Sequence, residues 1–467
     1  MSIISKIRGW LSMLVKSKAK DEFDVEQISS EQMQSWINEC VNIYQGNPCW
    51  LDEDDHIDTI NFAKALASET ARLTTLGIGI KLEGSARAEW LQKQINKVYF
   101  QLRHWVEYGC AYGTIILKPN GESIDLYTPE KFEIVHVNNG EIDGVIFHNW
   151  KQVGKKWYTR LEYHRFEGDV YLISNKCYLG DFADDTKKRV DISATPWDYL
   201  SEEVGISNME KPLFGVFRTP QANNIDMDSP YGLPIFSEAI QELRDLDIAY
   251  SRYSKENKDS KRTVLLDSDS LLPGGQRVTS IASAFNAHRE QVGLPDYIKN
   301  VRGDGKEIFY QEINPTLNTE TRVAGINFLL SLIGFKSGFS NGHFVFNQKT
   351  GRITAREVES DDARTIQTTK DNRDKLENCL TGLIYALDVF ASLYKLAPNG
   401  KYEVVFDFGD ITYNRDEDRA RYWGYVQAGR YPFWRFLVKF EGYTEEDAKL
   451  IEREARPKEP TLFGGDE

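Results

Sequence analysis

The sequence predicts an α+β protein, and three observations support this prediction. Two long blocks show the apolar spacing of amphipathic helices, and a run of short alternating segments between them is typical of antiparallel strands. Of the 467 residues, 41% are hydrophobic and 12% are aromatic, which is enough to bury substantial cores. Since neither a repeat nor a low-complexity linker divides the chain, we expect one large body with two or three subdomains.

The first helical block follows an acidic run. Carboxylates within residues 52–58 precede the periodic segment "IDTINFAKALASETARL", where they favour a helix N-terminus over a metal site. A second amphipathic helix, "ARAEWLQKQINKVYFQLRHWVEY", is predicted to end with Gly109 as its C-cap. Short strands follow, broken by Asn-Gly, Gly-Asp and Pro signals, and they predict a meandering antiparallel sheet. The strand segments are GTIILKP, ESIDLYT, FEIVHVN, DGVIFHNW, KWYTRLEYHRF and DVYLISNKCY.

The second block begins after a loop-rich stretch that ends near residue 228. Pro234 stands where a helix can start, and an apolar stripe runs on to Tyr253. A small strand-and-turn insertion, "RTVLLD" to "GKEIFYQEI", comes next. Asn314 as N-cap and Pro315 at the first helical position then open another helix. Two helices are therefore predicted to flank a small lobe.

A very long helix is predicted after the loop at "GFSNGHFVFNQKTG". Thr354 and Glu357 form a capping box, and a helix of about 40 residues spans roughly 60 Å. Its second half has an apolar stripe, but its first half is charged almost all round. Such a helix must be solvated, linked by charge pairs or packed on other polar helices, and neighbouring copies of the chain would satisfy it. A strand, "KYEVVFDF", a helix capped by Gly429, and a helix begun by Thr444 complete the chain.

Composition limits the partners and the compartment. The net charge of −14 argues against a protein that coats nucleic acid over its whole surface, so any DNA contact must be local. The five cysteines include no C-x-x-C pair, which fits a reducing compartment with neither disulfides nor a zinc site. The N-terminal "GWLSMLV" is too short for a signal core, so we expect neither secretion nor a membrane span. A basic helix that docks on protein is favoured there over one that lies on a membrane.

Catalytic motifs were tested against their structural context. Gly338, Ser340 and Gly342 match the G-x-S-x-G nucleophile elbow, but that motif needs a strand before the serine and a helix after it. Here an apolar helix precedes Ser340 and "HFVF", which resembles a short strand, follows, so a loop is predicted. The chain has no Walker A motif, and its seven histidines form no H-x-x-x-H or H-x-H pair. We expect a protein that is not an enzyme and has no cofactor or metal.

Taken in order, these segments resemble the portal proteins, or head-tail connectors, of tailed bacteriophages, particularly long-tailed phages of Gram-positive hosts. The resemblance covers nearly the whole chain. It rests on the helix-Gly-strand step "EYGCAYGTIIL", on "SPYGLPIFSEAIQELRDLDIAYSRY" before a small lobe, and on a loop before the long helix opened by "RITAREVES". The ending, "VVFDFGDITYNRDEDRARYWGYVQAG" with "GYTEEDAKLIEREA", is also similar to that family.

The resemblance implies a homo-oligomeric ring of about twelve copies at one capsid vertex. Such a ring nucleates head assembly with scaffold and major capsid protein and docks the terminase large subunit. It is the channel for packaging, retaining and ejecting double-stranded DNA without sequence specificity, and it joins the head-tail connector or adaptor proteins. The implied location is the virion, at the capsid portal vertex, and the host cytoplasm during assembly. No cofactor and no membrane are implied.

The resemblance also divides the chain into an α/β wing, a two-helix stem, a small α/β clip, a tunnel loop, a long tunnel helix and a helical crown. The implied bounds are 1–232 for the N-terminal wing, 233–261 and 316–334 for the stem helices, 262–315 for the clip, 335–352 for the tunnel loop, 353–396 for the tunnel helix and 397–467 for a wing strand and the C-terminal crown.

Two basic sets are the candidate DNA-facing residues. Glycines suit a loop that lets a ring constrict, and one cation per copy, repeated around a ring, gives a positive collar. The tunnel-loop set is Lys336, His343, Lys349 and Arg352. The stem set, which equally fits intersubunit or i,i+4 charge pairs, is Arg252, Lys255, Lys258, Lys261 and Arg262. For the tunnel-loop set, solvated loop charge is the open alternative.

Two other hypotheses stay open at this point. Another phage minor head or adaptor protein would have no open channel. A hydrolase with Asp or Glu catalysts on the wing sheet would turn over substrate as a monomer; no spacing among the 71 acidic residues singles out such a pair.

Overall fold

The fold is described from a computed structural model. It describes residues 19, 21–26, 28–51, 57–121, 123–260, 263–267, 298–301, 310–313, 318–345, 362–409 and 415–454. The chain divides into a larger unit, formed by Met1–Thr75 and Ile80–Val405, and a smaller unit, formed by Leu76–Gly79 and Phe406–Glu467. Helices and sheets are both present, which confirms the α+β class.

The larger unit begins with four helices, which pack through buried apolar faces. The second predicted helix is broken by a 3-10 turn at Tyr99–Gln101 and continues to Tyr112, so Gly109 as its C-cap was wrong. The cap is Gly113, whose φ of +79° is left-handed, whereas Gly109 lies inside the helix with the ring of Phe217 against it. The helices are α1 (Glu31–Tyr44), α2 (Phe62–Thr74), α3 (Ala86–Val98) and α4 (Leu102–Tyr112).

The acidic run before α2 lies mostly outside the described residues. Asp58 is described, but it precedes the helix by several extended residues, and its amide donates to Ser251 Oγ at 2.8 Å. Asn61, with a left-handed φ of +50°, is the residue at the helix N-cap position. The predicted role of these carboxylates at the helix N-terminus therefore stays a prediction for residues 52–56.

The predicted single meander is two antiparallel sheets. A three-stranded sheet has the order β10-β2-β3, and a larger sheet has the order β4-β5-β6-β7-β8 with β9 also paired to β7. Strand β2 lies between β3 and β10, and β10 comes from the stretch that was predicted to be loop-rich. The strands are β2 (Thr114–Asn120), β3 (Ser123–Tyr127), β4 (Phe132–Asn138), β5 (Glu141–Val153), β6 (Lys156–Glu167), β7 (Val170–Gly180), β8 (Lys188–Val190), β9 (Glu203–Ser207) and β10 (Gly215–Arg218).

Two helices flank a small three-stranded sheet, as predicted. Helix α5 (Ile240–Asp259) leads into β11 (Thr263–Asp267), and α6 (Thr319–Lys336) follows the sheet. In that sheet β11 pairs in parallel with β12 (Ile298–Val301) and antiparallel with β13 (Tyr310–Ile313). Both helices start later than predicted: a 3-10 turn precedes α5, and α6 begins after Asn318, while Asn314 and Pro315 lie outside the described residues.

The long helix is α7 (Ala363–Leu393), and the capping box at Thr354 and Glu357 lies outside the described residues. Of its predicted apolar stripe, Leu376, Leu380, Leu383 and Leu387 are buried, whereas Phe390 is partly exposed and Tyr394, just beyond the helix end, is 64% exposed. Among the helices that the structure describes, α7 alone is long and apolar enough to cross a membrane by length and composition, a test that the core helix of a soluble protein also passes. Ala386 of α7 packs with Tyr171 and Leu213 against the large sheet, so this helix belongs to the core.

The composition of the first half of α7 suggested a helix that is polar and solvent-exposed on every side. In the structure, one face of this half is buried. Thr365, Thr369, Asn372 and Arg373 are buried against the same chain. Arg373 Nε and Nη2 donate to the carbonyl oxygens of Thr74 and Leu73, at 3.2 and 3.1 Å. These carbonyls close the C-terminus of α2, where a cation is favourable. One face of this half is therefore satisfied without a neighbouring copy.

The smaller unit is helical around an aromatic core that includes Phe436 and Phe440. Gly429 follows its first helix with a φ of +69°, and Asp447 N donates to Thr444 Oγ1 at 3.2 Å, so both predicted caps are confirmed. The predicted strand is β14 (Glu403–Asp407), whose first three residues belong to the larger unit and whose last two belong to the smaller unit, and it pairs with β1 (Gly79–Glu83). The helices are α8 (Arg415–Gln427), α9 (Phe433–Phe436) and α10 (Glu445–Glu454), with a π turn at Leu437–Glu441.

Candidate nucleic-acid interface

The framework of the candidate interface is the helix pair α5 and α6. Near the end of α5, Glu256 Oε2 accepts from Arg322 Nε at 2.9 Å. At the other end, Lys336 Nζ lies 2.5 Å from Glu242 Oε1 and also donates to the carbonyl of Glu238. Because the start of each helix is joined to the end of the other, the pair is antiparallel and tied at both ends.

Lys336 was predicted to lie in the tunnel loop, but the helix extends two residues beyond its predicted end and Lys336 is its last residue. Its ammonium is half-buried and already paired with a carboxylate. A phosphate contact by Lys336 would have to compete with that ion pair. The ion pair with Glu242, which the sequence did not reveal, therefore competes with the predicted DNA contact of Lys336.

The loop that follows is held against α7. Ser340 Oγ accepts from the amide and the hydroxyl of Thr365, at 3.3 and 3.1 Å, and the Ser340 amide donates back to Thr365 Oγ1 at 2.9 Å. Thr368 Oγ1 donates to the carbonyl of Gly338 at 2.8 Å. Gly338 and Gly342 have φ values of +86° and +85°, a conformation that glycine adopts at little cost. Ser340 thus supplies a hydrogen-bond acceptor to the first turn of α7.

This geometry explains the G-x-S-x-G pattern. Ser340 lies in a loop, as predicted, and its side chain is only 6% exposed. The predicted short strand at "HFVF" is wrong for the residues that the structure describes, because His343 and Phe344 lie in a turn. The described hydrogen bonds of the Ser340 hydroxyl go to Thr365, and none of them involves a histidine. A nucleophile elbow has a different backbone order and an exposed hydroxyl.

His343 is held by a carboxylate and by aromatic rings. Its Nε2 lies 3.3 Å from Glu69 Oε1, and its ring contacts those of Phe339 and Phe344 at centroid distances of 5.0 and 4.8 Å. Hydrogen bonds from Arg72 and then His343 lower the pKa of Glu69 to about 2. His343 is therefore also committed to an intrachain contact.

The remaining predicted residues divide between exposed and undescribed positions. Arg252, Lys255 and Lys258 are exposed on α5. Glu256, which alternates with them in the sequence, pairs with Arg322 across the helix pair. Both alternatives for the stem set, DNA contact and intersubunit charge pairs, stay predictions. Four predicted residues lie outside the described ones: Lys261, Arg262, Lys349 and Arg352.

Two contacts near the loop were missed by the sequence analysis. The Arg364 guanidinium lies 4.0 Å from the centroid of the Phe335 ring, and Thr365 and Thr368 hold the loop. A signal was available for the threonines. The apolar stripe of the second half of α7, continued backwards at spacings of three and four, passes through Thr365, Thr369 and Asn372.

A group of buried charges joins the large sheet to β2 of the three-stranded sheet. Glu162 lies 2.5 Å from Lys118 Nζ, 2.9 Å from Arg160 Nη2 and 2.9 Å from His164 Nε2. Burial alone raises the pKa of Glu162, but Arg160, Lys118 and His164 outweigh it and hold the pKa well below its usual range. A carboxylate that is buried and fixed in its ionised form is a structural group, not an accessible acid or base.

A second buried group of charges centres on His148. Its Nε2 lies 3.5 Å from Glu133 Oε1 and its Nδ1 lies 3.6 Å from Asp184 Oδ2. Burial opposes protonation of His148, but the carboxylates of Asp184 and Glu133 outweigh it and raise its pKa to about 9. Since the imidazole lies between the two carboxylates, the arrangement fits a buried imidazolium. Within the described residues, no group of three or more His, Cys, Asp or Glu side chains could hold a metal ion.

Comparisons with solved structures find similar chains, two of which come from gene transfer agent particles. No protein-family model matches the chain, and no curated protein matches it. One similar solved chain comes from the virion of a native gene transfer agent particle, with a TM-score of 0.41 and 11% identity over 92% of this chain and 95% of that chain. Another comes from the neck of an empty gene transfer agent particle computed with C6 symmetry, with a TM-score of 0.41 and 11% identity over 91% and 94% of the two chains. At this TM-score and identity the likeness establishes neither a common fold nor a common activity.

Proposed function

We propose that this chain is the subunit of a portal ring at one capsid vertex of a tailed phage. One observation supports the proposal most directly: the elements follow one another in the order that the sequence resemblance implies. A helix-glycine-strand step at Gly113 is followed by the antiparallel pair α5 and α6 around a small sheet, by a glycine loop and by the long helix α7. In this role the ring nucleates head assembly, docks the terminase and joins the tail.

The proposed channel passes double-stranded DNA without reading its sequence. A net charge of −14 makes most of the surface repel phosphate, so contacts must be few and local. Since Lys336 and His343 have carboxylate partners in the same chain, the proposal assigns the loop contacts to Lys349 and Arg352. Around a ring even one such cation per subunit forms a collar, and a collar of this kind holds DNA by charge alone.

The proposed role involves no catalysis by this chain. The hydroxyl of Ser340 is buried and hydrogen-bonded to Thr365, and the carboxylate of Glu162 is buried beside Lys118, Arg160 and the imidazole of His164. These contacts argue against Ser340 as a serine nucleophile and against Glu162 as a catalytic carboxylate. A hydrolase assay with the monomer remains the direct test of that alternative.

The first experiment is native mass spectrometry with negative-stain images of the purified full chain at moderate salt. We expect a closed ring of about twelve copies with a central hole. A closed particle without a hole would favour an adaptor or minor head protein. A monomer of 53.7 kDa at every concentration and salt tested, even with scaffold present, would contradict the proposal.

The DNA contact has its own test. In a packaging assay, replacing Lys349 and Arg352 with alanine should change the rate and reduce its salt dependence, because fewer phosphates are neutralised. The matched control replaces Lys155 and Lys156, which are exposed on the wing sheet, with alanine. A double variant with the parent's rate and salt dependence would remove these two residues from the proposed contact.

A further inference from the structure

We propose that the helix pair α5 and α6 bears a knob and a groove, and that Phe328 of one copy inserts into the α5–α6 groove of the next copy. This proposal rests on the proposed function only for the closure of the assembly into a ring. The contact itself follows from the exposed surface of the helix pair. Knob here means the Phe328 side chain, and groove means the cleft between α5 and α6.

The knob lies on a stripe of small and aromatic side chains of α6 that the chain itself leaves partly exposed. The residues of this stripe follow one another along α6 at alternating spacings of three and four, which is the spacing of the side chains through which one helix packs on another. Phe328 is 67% exposed and Phe335 is 46% exposed, although α6 is one of the most apolar helices in the chain. Arg364 covers part of Phe335, whereas Phe328 protrudes. The stripe consists of Thr321, Ala324, Phe328, Ser331 and Phe335.

The groove lies beside this stripe, between α5 and α6. It has a volume of about 430 Å³, and its apolar lining includes Ile248, Ala249 and Leu329. Gly325 leaves part of the floor open, because a Cβ added there would meet no atom within 4 Å. A cavity of about 150 Å³ admits benzene, so this groove has room for the ring of a phenylalanine. The ion pairs at both ends of the helix pair keep the groove preformed.

Size and charge both favour a second copy as the occupant. Copies with a net charge of −14 repel one another, so their contact needs apolar burial and local charge complementarity. The groove is lined by exposed Arg252 and Asp245 and by Arg322, which already pairs with Glu256, and exposed Glu320 lies on α6 outside the groove lining. Arg252 is therefore the groove charge that a carboxylate of the next copy would meet.

The knob and the groove are different surfaces that adjoin at Thr321, so two arrangements can join them. Reciprocal insertion of two knobs into two grooves closes a symmetric dimer, whereas the proposal is the heterologous arrangement, in which each copy engages two neighbours. Every copy offers one knob and one groove, and each can engage a different neighbour. Such head-to-tail contacts repeat until rotation closes them into a ring, or they extend into an open filament. A parent chain that stops at dimers would show reciprocal insertion and would overturn the heterologous arrangement.

Two substitutions separate the knob from the groove. Phe328→Ala removes the knob and keeps the groove, and Gly325→Trp fills the groove and keeps the knob. Both should fold, because Phe328 is exposed and Gly325 is helical with open space around it. Aromatic anchors dominate interfaces, so each variant alone should need at least about a tenfold higher concentration to assemble.

Mixing the two variants is the decisive step. The groove of the Phe328→Ala chain can still accept the knob of the Gly325→Trp chain, so a mixture should give heterodimers that do not grow. Native mass spectrometry distinguishes the two chains by mass. The matched control is Phe100→Ala, which removes a phenylalanine that is 86% exposed on another surface and should leave assembly unchanged.

The outcomes also separate this inference from the proposed function. Parent-like assembly of both variants would overturn the knob and groove, and a ring formed by the parent would still support a portal. Open chains of the parent that Phe328→Ala disperses would support the contact and contradict the closed ring. A parent that stays monomeric under all conditions would overturn both.

Discussion

Replacing Ser340 with alanine should loosen the loop between α6 and α7 without unfolding the protein. The substitution removes the oxygen that accepts from the Thr365 amide at 3.3 Å and from the Thr365 hydroxyl at 3.1 Å. The hydrogen bond from the Ser340 amide to Thr365 Oγ1, at 2.9 Å, is retained. A hydrogen bond contributes about 0.5–1.5 kcal/mol net, and loss of a helix-capping oxygen costs about 0.5–2 kcal/mol. We therefore expect the local opening free energy to fall by about 1–2 kcal/mol.

A second buried serine in the same turn provides the matched control. Ser337 is 1% exposed, and its hydroxyl has no hydrogen-bond partner among the described residues. Ser337→Ala deletes a buried hydroxyl without breaking a described bond, so it should be neutral or slightly stabilising. The two variants differ by three positions in the sequence and remove the same atoms. Their difference isolates the Thr365 contacts.

Hydrogen exchange measured by mass spectrometry is the appropriate assay, because it reports local opening. A change of about 1–2 kcal/mol should lower the protection of residues 337–345 and of the first turn of α7 by about 5–30-fold in Ser340→Ala. Protection of the large sheet should not change. Equal exchange in Ser340→Ala and Ser337→Ala would show that these hydrogen bonds do not hold the loop, and the reasoning would fail.

Further predictions concern packing, charge and pH. In urea unfolding, Gly109→Ala should lower the free energy of unfolding by about 1–3 kcal/mol, because its Cβ would lie 2.4 Å from an aromatic carbon of Phe217. Gly325→Ala, in open space on α6, should raise that free energy by up to about 1 kcal/mol. Equal effects of the two substitutions would contradict this reasoning. His148, with a pKa of about 9 in the fold against about 6.5 unfolded, should stabilise the protein by up to about 3 kcal/mol below pH 6.5 and lose this as pH rises through 9. The unfolding midpoints of the parent and of His148→Gln should accordingly converge with rising pH, and a constant gap would refute the charge assignment. Arg373→Met should cost about 2–3 kcal/mol through lost bonds to the α2 C-terminus, whereas the exposed Arg72→Met should cost below about 1 kcal/mol.

Local signals were sufficient for the strands but not for their partners. Alternation and turn dipeptides predicted β2 to β7 close to their observed bounds, because a strand and its hairpin neighbour are close in sequence. The pairing of β2 with β10 joins segments about 100 residues apart, and no local pattern reveals it. The choice between Gly109 and Gly113 as a helix cap was equally nonlocal. Buried Cys110 and Tyr112 extend the helix, and Gly109 is required for close approach to Phe217.

The candidate site was predicted less well because residue type does not reveal an ion pair. Lys336 and His343 were selected as cations in a glycine-rich loop. Their partners, Glu242 and Glu69, lie 94 and 274 positions away in the sequence, so only the fold shows that these charges are already matched. For Arg252, the sequence predicted its position on a helix, but its place beside the groove depends on the packing of α6 against α5.

The polar half of α7 shows why a charged helix can still belong to a core. Its buried positions keep the periodicity of the apolar half, and each polar side chain there has a specific partner: Thr365 the loop, Arg373 the end of α2. A hydrogen-bonded polar residue can therefore occupy a core position that a hydrophobicity pattern counts as surface. The consequence for the proposed function is mechanical. A ring that tightens around DNA by moving this loop must first break the Ser340–Thr365 bonds in every subunit, so Ser340→Ala should make that movement easier. A ring whose loop keeps this position throughout packaging should not respond to the substitution.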